Sequence, residues 1–128
     1  MNLNQVTIPS IDLVKAVAFY KTLGLELIVD SVPRYARFLL PEGDATFSIH
    51  MVEELPQGSG VVVYFECEDL DEQVSRLANE GIAFELLPTD QDWLWREARL
   101  KDPDGNQLIL FKAGENRINP PWRVNPDK

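Results

Sequence analysis

Residues 35–44, YARFLLPEGD, and residues 97–106, EARLKDPDGN, are two copies of one pattern that lie 62 positions apart. Alanine, arginine, proline and glycine occupy the same places in both copies. The proline, acidic residue and glycine are typical of a tight turn, because proline presets one backbone angle and glycine reaches the left-handed conformation. We therefore predict a β-hairpin at each copy and a duplicated structural unit in the chain.

A second repeat, at a spacing of 57 positions, lies upstream of each turn. Four residues recur in it: Asp12, Leu13, Val17 and Gly24 return as Asp69, Leu70, Val74 and Gly81. Apolar residues at helical spacing follow each aspartate, so we predict two helices that begin after the aspartates and end at the glycines, with a capping box between Asp69 and Glu72. The larger downstream spacing places five extra residues in the second copy, within segment 87–94 before Trp95.

Short apolar runs complete each copy. Residues 4–8 and 61–67 contain Val, Ile and Phe and are bounded by Pro or Gly, as strands are. The predicted fold class is α+β, with two tandem βαβββ modules whose curved mixed sheets surround a concave cavity. We predict one domain at residues 1–114, with modules at about 3–52 and 60–112, and a C-terminal tail at 115–128 that packs on the domain or on a partner subunit.

Composition excludes several classes of partner. The chain has 128 residues, of which 45% are hydrophobic and 26% charged, as in one ordinary soluble domain. Its net charge of −9 repels nucleic-acid phosphates and anionic lipids, so we expect neither nucleic acid nor membrane as a partner. Without a signal peptide or an apolar run of ~20 residues, the predicted location is cytoplasmic. The single cysteine, Cys67, excludes a disulfide framework.

Side-chain alternation divides each strand between a core and a cavity face. The predicted core set is Phe47, Ile49, Met51, Val61, Val63, Phe65, Cys67, Ala98, Leu100, Leu108 and Leu110. The predicted cavity set is Gln5, Thr7, Tyr35, Arg37, Thr46, Ser48, His50, Val62, Tyr64, Glu66, Trp95, Glu97, Arg99, Gln107, Ile109 and Phe111.

Three cavity residues are candidates for acid–base catalysis: His50, Glu66 and Glu97. Arg37 and Arg99 hold equivalent places in the two copies, and two guanidinium groups suit a carboxylate or phosphate ligand. The alternative is that these arginines form structural ion pairs with Glu97 and Glu66. The further candidate ligand-binding residues are Gln5, Ser48, Tyr64, Trp93, Trp95 and, on the tail, Arg117. The aromatic members suit stacking on a planar ligand, although aromatic residues also fill cores.

The chain resembles the vicinal oxygen chelate superfamily, which includes glyoxalase I, fosfomycin-resistance thiol transferases, bleomycin-binding proteins and extradiol dioxygenases. The resemblance covers residues 3–112 and rests on 18–20, AFY; 23–25, LGL; 102–106, DPDGN; and the leucines at 108 and 110. It implies the duplicated fold and a homodimer. The metal-ligand positions of the family correspond here to Gln5, Ser48, Val62 and Ile109.

Because valine and isoleucine have no donor atom, we predict neither a metal nor another cofactor. An improvised metal site of His50, Glu66 and Gln5 is the alternative. Two functions follow. One is metal-independent binding of a small molecule, as in bleomycin-binding proteins, where the acidic chain favours a cationic ligand. The other is a glyoxalase-like lyase or transferase that acts on a small anionic organic substrate held by the arginines.

Overall fold

Two βαβββ modules follow one another in the computed structural model, which describes residues 1–58 and 60–124. The elements of the first module are β1 Gln5–Ser10, α1 Leu13–Leu23, β2 Glu26–Ser31, β3 Tyr35–Leu39 and β4 Thr46–Met51. Those of the second are β5 Val63–Glu66, α2 Leu70–Asn79, β6 Leu86–Asp90, β7 Arg96–Lys101 and β8 Gln107–Lys112. A 3₁₀ turn, Gly114–Asn116, follows β8.

The two sheets have the same topology. Their strand orders are β1-β4-β3-β2 and β5-β8-β7-β6. In the first sheet β1 and β4 are parallel while β2–β3 and β3–β4 are antiparallel, and in the second β5 and β8 are parallel while β6 and β7 are antiparallel. The predicted α+β class and the duplication of the βαβββ module are therefore confirmed.

Both helices end in the same way. Gly24 adopts a φ of 108° and Gly81 a φ of 96°, which favour glycine. The residue after each glycine donates a backbone hydrogen bond into the last turn, from Leu25 to Tyr20 at 3.1 Å and from Ile82 to Leu77 at 3.0 Å. Thus the glycine repeat in the sequence corresponds to a shared helix C-terminus.

The helix starts differ. The Asp12 carboxylate accepts from the backbone N–H of Lys15 at 3.2 Å, as an N-cap does. The predicted capping box at Asp69 is wrong, because Asp69 makes no side-chain cap hydrogen bond. Its carboxylate instead accepts from the side chain of Gln73 at 3.3 Å.

One compact unit comprises Met1–Val61 together with Lys101–Gln107. The apolar face of α1 is buried, and the Tyr20 ring packs against Phe47 and Phe38 with centroids 4.7 and 6.0 Å away. Ile8, Ala36 and Ile49 are further apolar strand residues that are buried in this unit.

The turn at residues 102–106 is part of this unit, and the Asp102 carboxylate organises it. Its Oδ1 accepts from the backbone N–H groups of Asp104 and Asn106, each at 2.9 Å. Its Oδ2 accepts from the Tyr20 hydroxyl at 2.7 Å and from the Asn106 amide at 2.9 Å. The turn is also joined to the segment between β1 and α1, because Asn106 donates to the carbonyl of Pro9 and the backbone N–H of Ile11 donates to Asp104.

The second unit comprises residues 62–100 and 108–128, of which 125–128 lie outside the described residues. Leu70, Val74 and Leu77 form the buried face of α2. The strand residues buried with them are Val63, Ala98, Leu100, Leu108 and Leu110.

Strand pairing locates the insertion of the second module. Val29 pairs with Arg37 in the first module, and Leu86 pairs with the equivalent Arg99 in the second. Residues 30–36 lie between the first two partners and residues 87–98 between the second two. The extra residues lengthen the β6–β7 hairpin, which confirms the predicted place.

Several residues predicted as core are not buried. Val61 is exposed because β5 begins only at Val63, where pairing with β8 begins. Met51, at the end of β4, is exposed as well. Phe65 and Cys67 are only half-buried. Of the helices formed by residues 1–58 and 60–124, none is long and apolar enough to span a membrane.

Candidate functional site

A polar network occupies the face of the first sheet opposite its buried apolar residues. Tyr35 and Arg37 lie on β3, and the register places Arg37 beside Ser48 of β4. The Arg37 Nε–H donates to the Tyr35 hydroxyl at 2.8 Å, and that hydroxyl lies 2.7 Å from the Ser48 hydroxyl. Ser48 is fully buried. Three predicted cavity residues therefore meet in one hydrogen-bonded network.

The network changes the acidity of Tyr35. Burial by itself favours the neutral phenol, but hydrogen bonds from Ser48 and Arg37, with the charge of Arg37, outweigh it and lower the pKa of Tyr35 below its ordinary value of 10.0. The sequence placed Tyr35 on this face without giving it a role. The signal was present, since Tyr35 stands two residues before Arg37 in the repeat.

We expect Tyr35 to ionise at a lower pH than an ordinary tyrosine. The difference between the ultraviolet pH titrations of the wild type and Tyr35→Phe isolates its tyrosinate absorbance. In Arg37→Gln the midpoint should rise, because the cation that stabilises the phenolate is gone. A midpoint at or above 10, or one that Arg37→Gln leaves in place, contradicts this view of the network.

Gln5 and His50 lie at the margins of this face. Gln5 accepts from the Thr46 hydroxyl at 2.7 Å and is exposed. His50 is also exposed and pairs in register with Tyr35 and Pro9. Within residues 1–58 and 60–124 there is no group of three or more His, Cys, Asp and Glu residues that could hold a metal ion.

An aromatic cluster covers part of the corresponding face of the second sheet. The Trp95 ring stacks on Phe111 with centroids 4.7 Å apart and planes 20° apart. Tyr64 meets both rings edge-on, at 5.9 Å from Trp95 and 5.6 Å from Phe111. Phe111 is buried, whereas 47% of Tyr64 is exposed. We call these three residues the aromatic face.

Glu97 is buried beside the loop that joins β6 to β7. Only 1% of Glu97 is exposed, and its carboxylate accepts from the Trp93 indole at 2.8 Å and from Arg99 Nη2 at 3.3 Å. The buried Arg99 Nε has no hydrogen-bond partner within the part of the chain that the structure describes. The predicted base is thus engaged in an ion pair and a loop contact.

Another ion pair of this unit joins Glu66 to Arg117 rather than to Arg37 or Arg99, and it is exposed. Arg117 Nε lies 3.9 Å from Glu66 Oε1, and 49% of the arginine and 38% of the glutamate side chain are exposed. Such a pair contributes little to stability, ~0–1 kcal/mol. The segment after β8 is also fixed to the sheet by Trp95, whose indole donates to the Asn116 carbonyl at 3.2 Å.

An open cleft of about 540 Å³ lies beside this segment. It is lined by Asp90, Gln91, Leu94, Trp95, Arg96, Lys112, Ala113, Gly114 and Asn116. Of the predicted ligand-binding residues, only Trp95 lines this cleft.

The residues at the positions that correspond to the superfamily's metal ligands do not fit a metal ion. Val62 and Ile109 offer no donor atom, and Ile109 is buried in an apolar cluster with Phe111, Ala113 and Trp95. In the first unit Ser48 is engaged by Tyr35, and Gln5 by Thr46. These four positions therefore do not fit a divalent metal ion.

The sequence of the chain matches a known family. The sequence model of the Glyoxalase/Bleomycin resistance protein/Dioxygenase superfamily matches residues 2–110. None of the curated protein sequences matches this chain.

Solved structures show the same fold. A glyoxalase/bleomycin resistance protein/dioxygenase from Nocardioides is 24% identical, with a TM-score of 0.77 over 98% of this chain and 90% of that one. Lactoylglutathione lyase from Agrobacterium tumefaciens is 18% identical, with a TM-score of 0.75 over 92% and 96% of the chains. A bleomycin-binding protein in complex with bleomycin is 23% identical, with a TM-score of 0.70 over 88% and 98%.

Proposed function

Because this chain belongs to the glyoxalase/bleomycin resistance protein/dioxygenase superfamily, we propose that it binds a small organic molecule without a metal, as a binding protein rather than an enzyme. The observation that carries the proposal is the aromatic face. Tyr64 and Trp95 offer ring surface that is not fully buried, and the stacked, buried Phe111 holds Trp95 in place. Preorganised rings of this kind stack on planar ligands at low entropic cost.

The ion pairs of the second unit support binding over catalysis. A general base must reach the proton that it removes. Glu97 is instead held by Trp93 and Arg99 and is almost inaccessible to solvent. Glu66 is exposed and faces Arg117. Glu97 is therefore not free to remove a proton, and the carboxylate of Glu66 faces a guanidinium.

The charge of the chain indicates which planar ligands are favoured. A net charge of −9 attracts cations at long range, and aromatic faces attract them at short range. The proposed ligand is therefore a planar, cationic or neutral organic molecule. Bleomycin is the first probe, since a protein of the same fold is known in complex with it.

We expect bleomycin to quench the tryptophan fluorescence saturably. The measurement uses a Trp122→Phe background, because Trp122 is exposed and remote in sequence from the aromatic face. Tyr64→Ala should weaken binding about tenfold, the equivalent of ~1.4 kcal/mol of lost stacking, whereas Tyr64→Phe retains the ring and should bind as the wild type does. Equal affinities for Tyr64→Ala and the wild type would contradict the proposed site.

Metal analysis of the purified protein tests the proposed metal independence separately. Protein purified without chelator should carry well below one equivalent of zinc, nickel or manganese, and prolonged dialysis against EDTA should leave probe binding unchanged. One equivalent of metal per chain, lost together with binding, refutes this part of the proposal.

Enzymatic action on a small anionic substrate is the second candidate. It is favoured by one observation, that Arg37 lies beside a tyrosine of lowered pKa and forms none of the ion pairs found among residues 1–58 and 60–124. Incubation with lactoylglutathione tests it directly. Turnover by the wild type that is lost in Tyr35→Phe would establish catalysis, and its absence favours the binding function.

Assembly and location complete the proposal. We propose a homodimer, as the superfamily resemblance implies, and a cytoplasmic location, as predicted from the sequence. Sedimentation equilibrium should give about twice the chain mass of 14.6 kDa. A monomeric mass at micromolar concentration would reject the dimer.

A further inference from the structure

The two modules place equivalent arginines beside different partners. Arg37 donates to the hydroxyl of Tyr35, and Arg99 donates to the carboxylate of Glu97. In each case the partner stands two residues earlier on the same strand, and residues two apart on a strand share one face. The arginine's partner is therefore a tyrosine hydroxyl in the first module and a carboxylate in the second.

This difference determines which of the two arginines has an anionic partner. The nearly buried Glu97 balances the charge of Arg99. Tyr35 offers a hydroxyl where the second module has a carboxylate, and Arg37 is in none of the ion pairs among the described residues. A half-buried guanidinium without a counter-ion attracts an anion strongly, because partial burial weakens the screening by water.

The surroundings of Arg37 are ordered for such a ligand. Its Nε is fixed by Tyr35, whose hydroxyl is in turn fixed by the buried Ser48. Fixing one edge of the guanidinium leaves its two terminal nitrogens as a planar pair of donors. A planar pair matches the two oxygens of a carboxylate. A phosphate dianion is less suitable, since the chain carries a net charge of −9.

We propose that Arg37, positioned by Tyr35 and Ser48, binds the carboxylate of a small organic acid on the face of the first sheet. This site goes beyond the aromatic-face function, because the two share no residue. Each can therefore fail without the other. Ser48 lies at one of the positions where metal-using relatives have a metal ligand. The Arg37 cation therefore lies beside a position at which the superfamily resemblance implies a divalent metal ion.

The test is a titration with sodium acetate, followed by the ¹⁵N–¹H signals of the arginine Nε–H groups at constant ionic strength. The Arg37 signal, assigned by its loss in Arg37→Gln, should move saturably with acetate and remain still with chloride. The Arg99 signal is the internal reference and should not saturate. Inorganic phosphate should bind more weakly than acetate.

Two variants make the test specific. Tyr35→Glu copies the Glu97–Arg99 arrangement into the first module. The new carboxylate competes with acetate for the Arg37 guanidinium and should weaken acetate binding at least ~30-fold, the low end of what a charged pair in a partly desolvated site contributes. Arg34→Gln removes the same charge from an exposed residue of the same hairpin and should bind acetate as the wild type does.

The wild-type titration does not depend on the folding of any variant. A linear Arg37 response, an equal response at Arg99, tighter binding of phosphate than of acetate, or wild-type affinity in folded Tyr35→Glu each overturns the proposal. Bleomycin binding that persists in Tyr35→Glu, or acetate binding that persists in Tyr64→Ala, shows that the two sites act separately.

Discussion

Asp102→Ala should lower the free energy of unfolding by ~3 kcal/mol or more. The substitution removes an acceptor that serves four donors at once: the backbone N–H groups of Asp104 and Asn106, the Asn106 amide and the Tyr20 hydroxyl. Asp102 is 5% exposed and Tyr20 is fully buried, so water cannot readily replace the lost acceptor. Urea denaturation followed by circular dichroism measures the loss.

Two further variants separate the contributions at this turn. Tyr20→Phe removes one hydrogen bond to a charged group and should cost ~1.5–3 kcal/mol. Asp44→Ala, in the equivalent turn of the first module, removes an exposed carboxylate and should change stability by less than ~0.5 kcal/mol. If Asp102→Ala proved no more harmful than Asp44→Ala, the carboxylate would not be what holds the turn.

Phe111→Ala should lower the free energy of unfolding by about 3–5 kcal/mol. Phe111 is 5% exposed, stacks on Trp95 and meets the edge of Tyr64, so its removal opens a cavity beside these two rings. We also expect the tryptophan emission to shift and bleomycin binding to be lost, since Trp95 no longer has a fixed support.

The controls for Phe111 address size and exposure. Phe111→Leu keeps part of the buried volume and should cost clearly less than alanine. Trp122→Ala deletes a larger ring that is 57% exposed, and should change stability by less than ~0.5 kcal/mol. A Phe111→Ala protein as stable as Trp122→Ala would mean that the aromatic face is not a packed cluster.

The architecture was predictable because it depends on residues whose backbone geometry is restricted. Gly24 and Gly81 end the helices at equivalent places, and the turn at 102–106 follows from its proline and glycine. Strand limits were less predictable. Val61 and Val62 fit a strand pattern, but β5 begins only where Leu108 is present to pair with Val63.

The candidate site was predictable as a set of faces but not as a set of contacts. Alternation placed Tyr35 and Arg37 on one face, and the pairing of Arg99 with Glu97 was one of two alternatives left open. The hydrogen bond from Tyr20 to Asp102 joins residues 82 positions apart and could not be read from any local pattern. It joins two of the stretches on which the family resemblance rests, 18–20 and 102–106.

The membership of residues 101–107 in the first compact unit has a consequence for folding during synthesis. As the chain leaves the ribosome, residues 1–61 emerge early, but the acceptor for the Tyr20 hydroxyl is made only after Arg99 and Leu100 have been added. The sheet of the second unit also cannot be completed until β8 has been synthesised, because β8 pairs with β5. Contacts of such long sequence separation close slowly, since loop entropy must be lost before they form. A ribosome-bound chain stopped at residue 60 should therefore remain incompletely folded, although it holds every element of a whole βαβββ module.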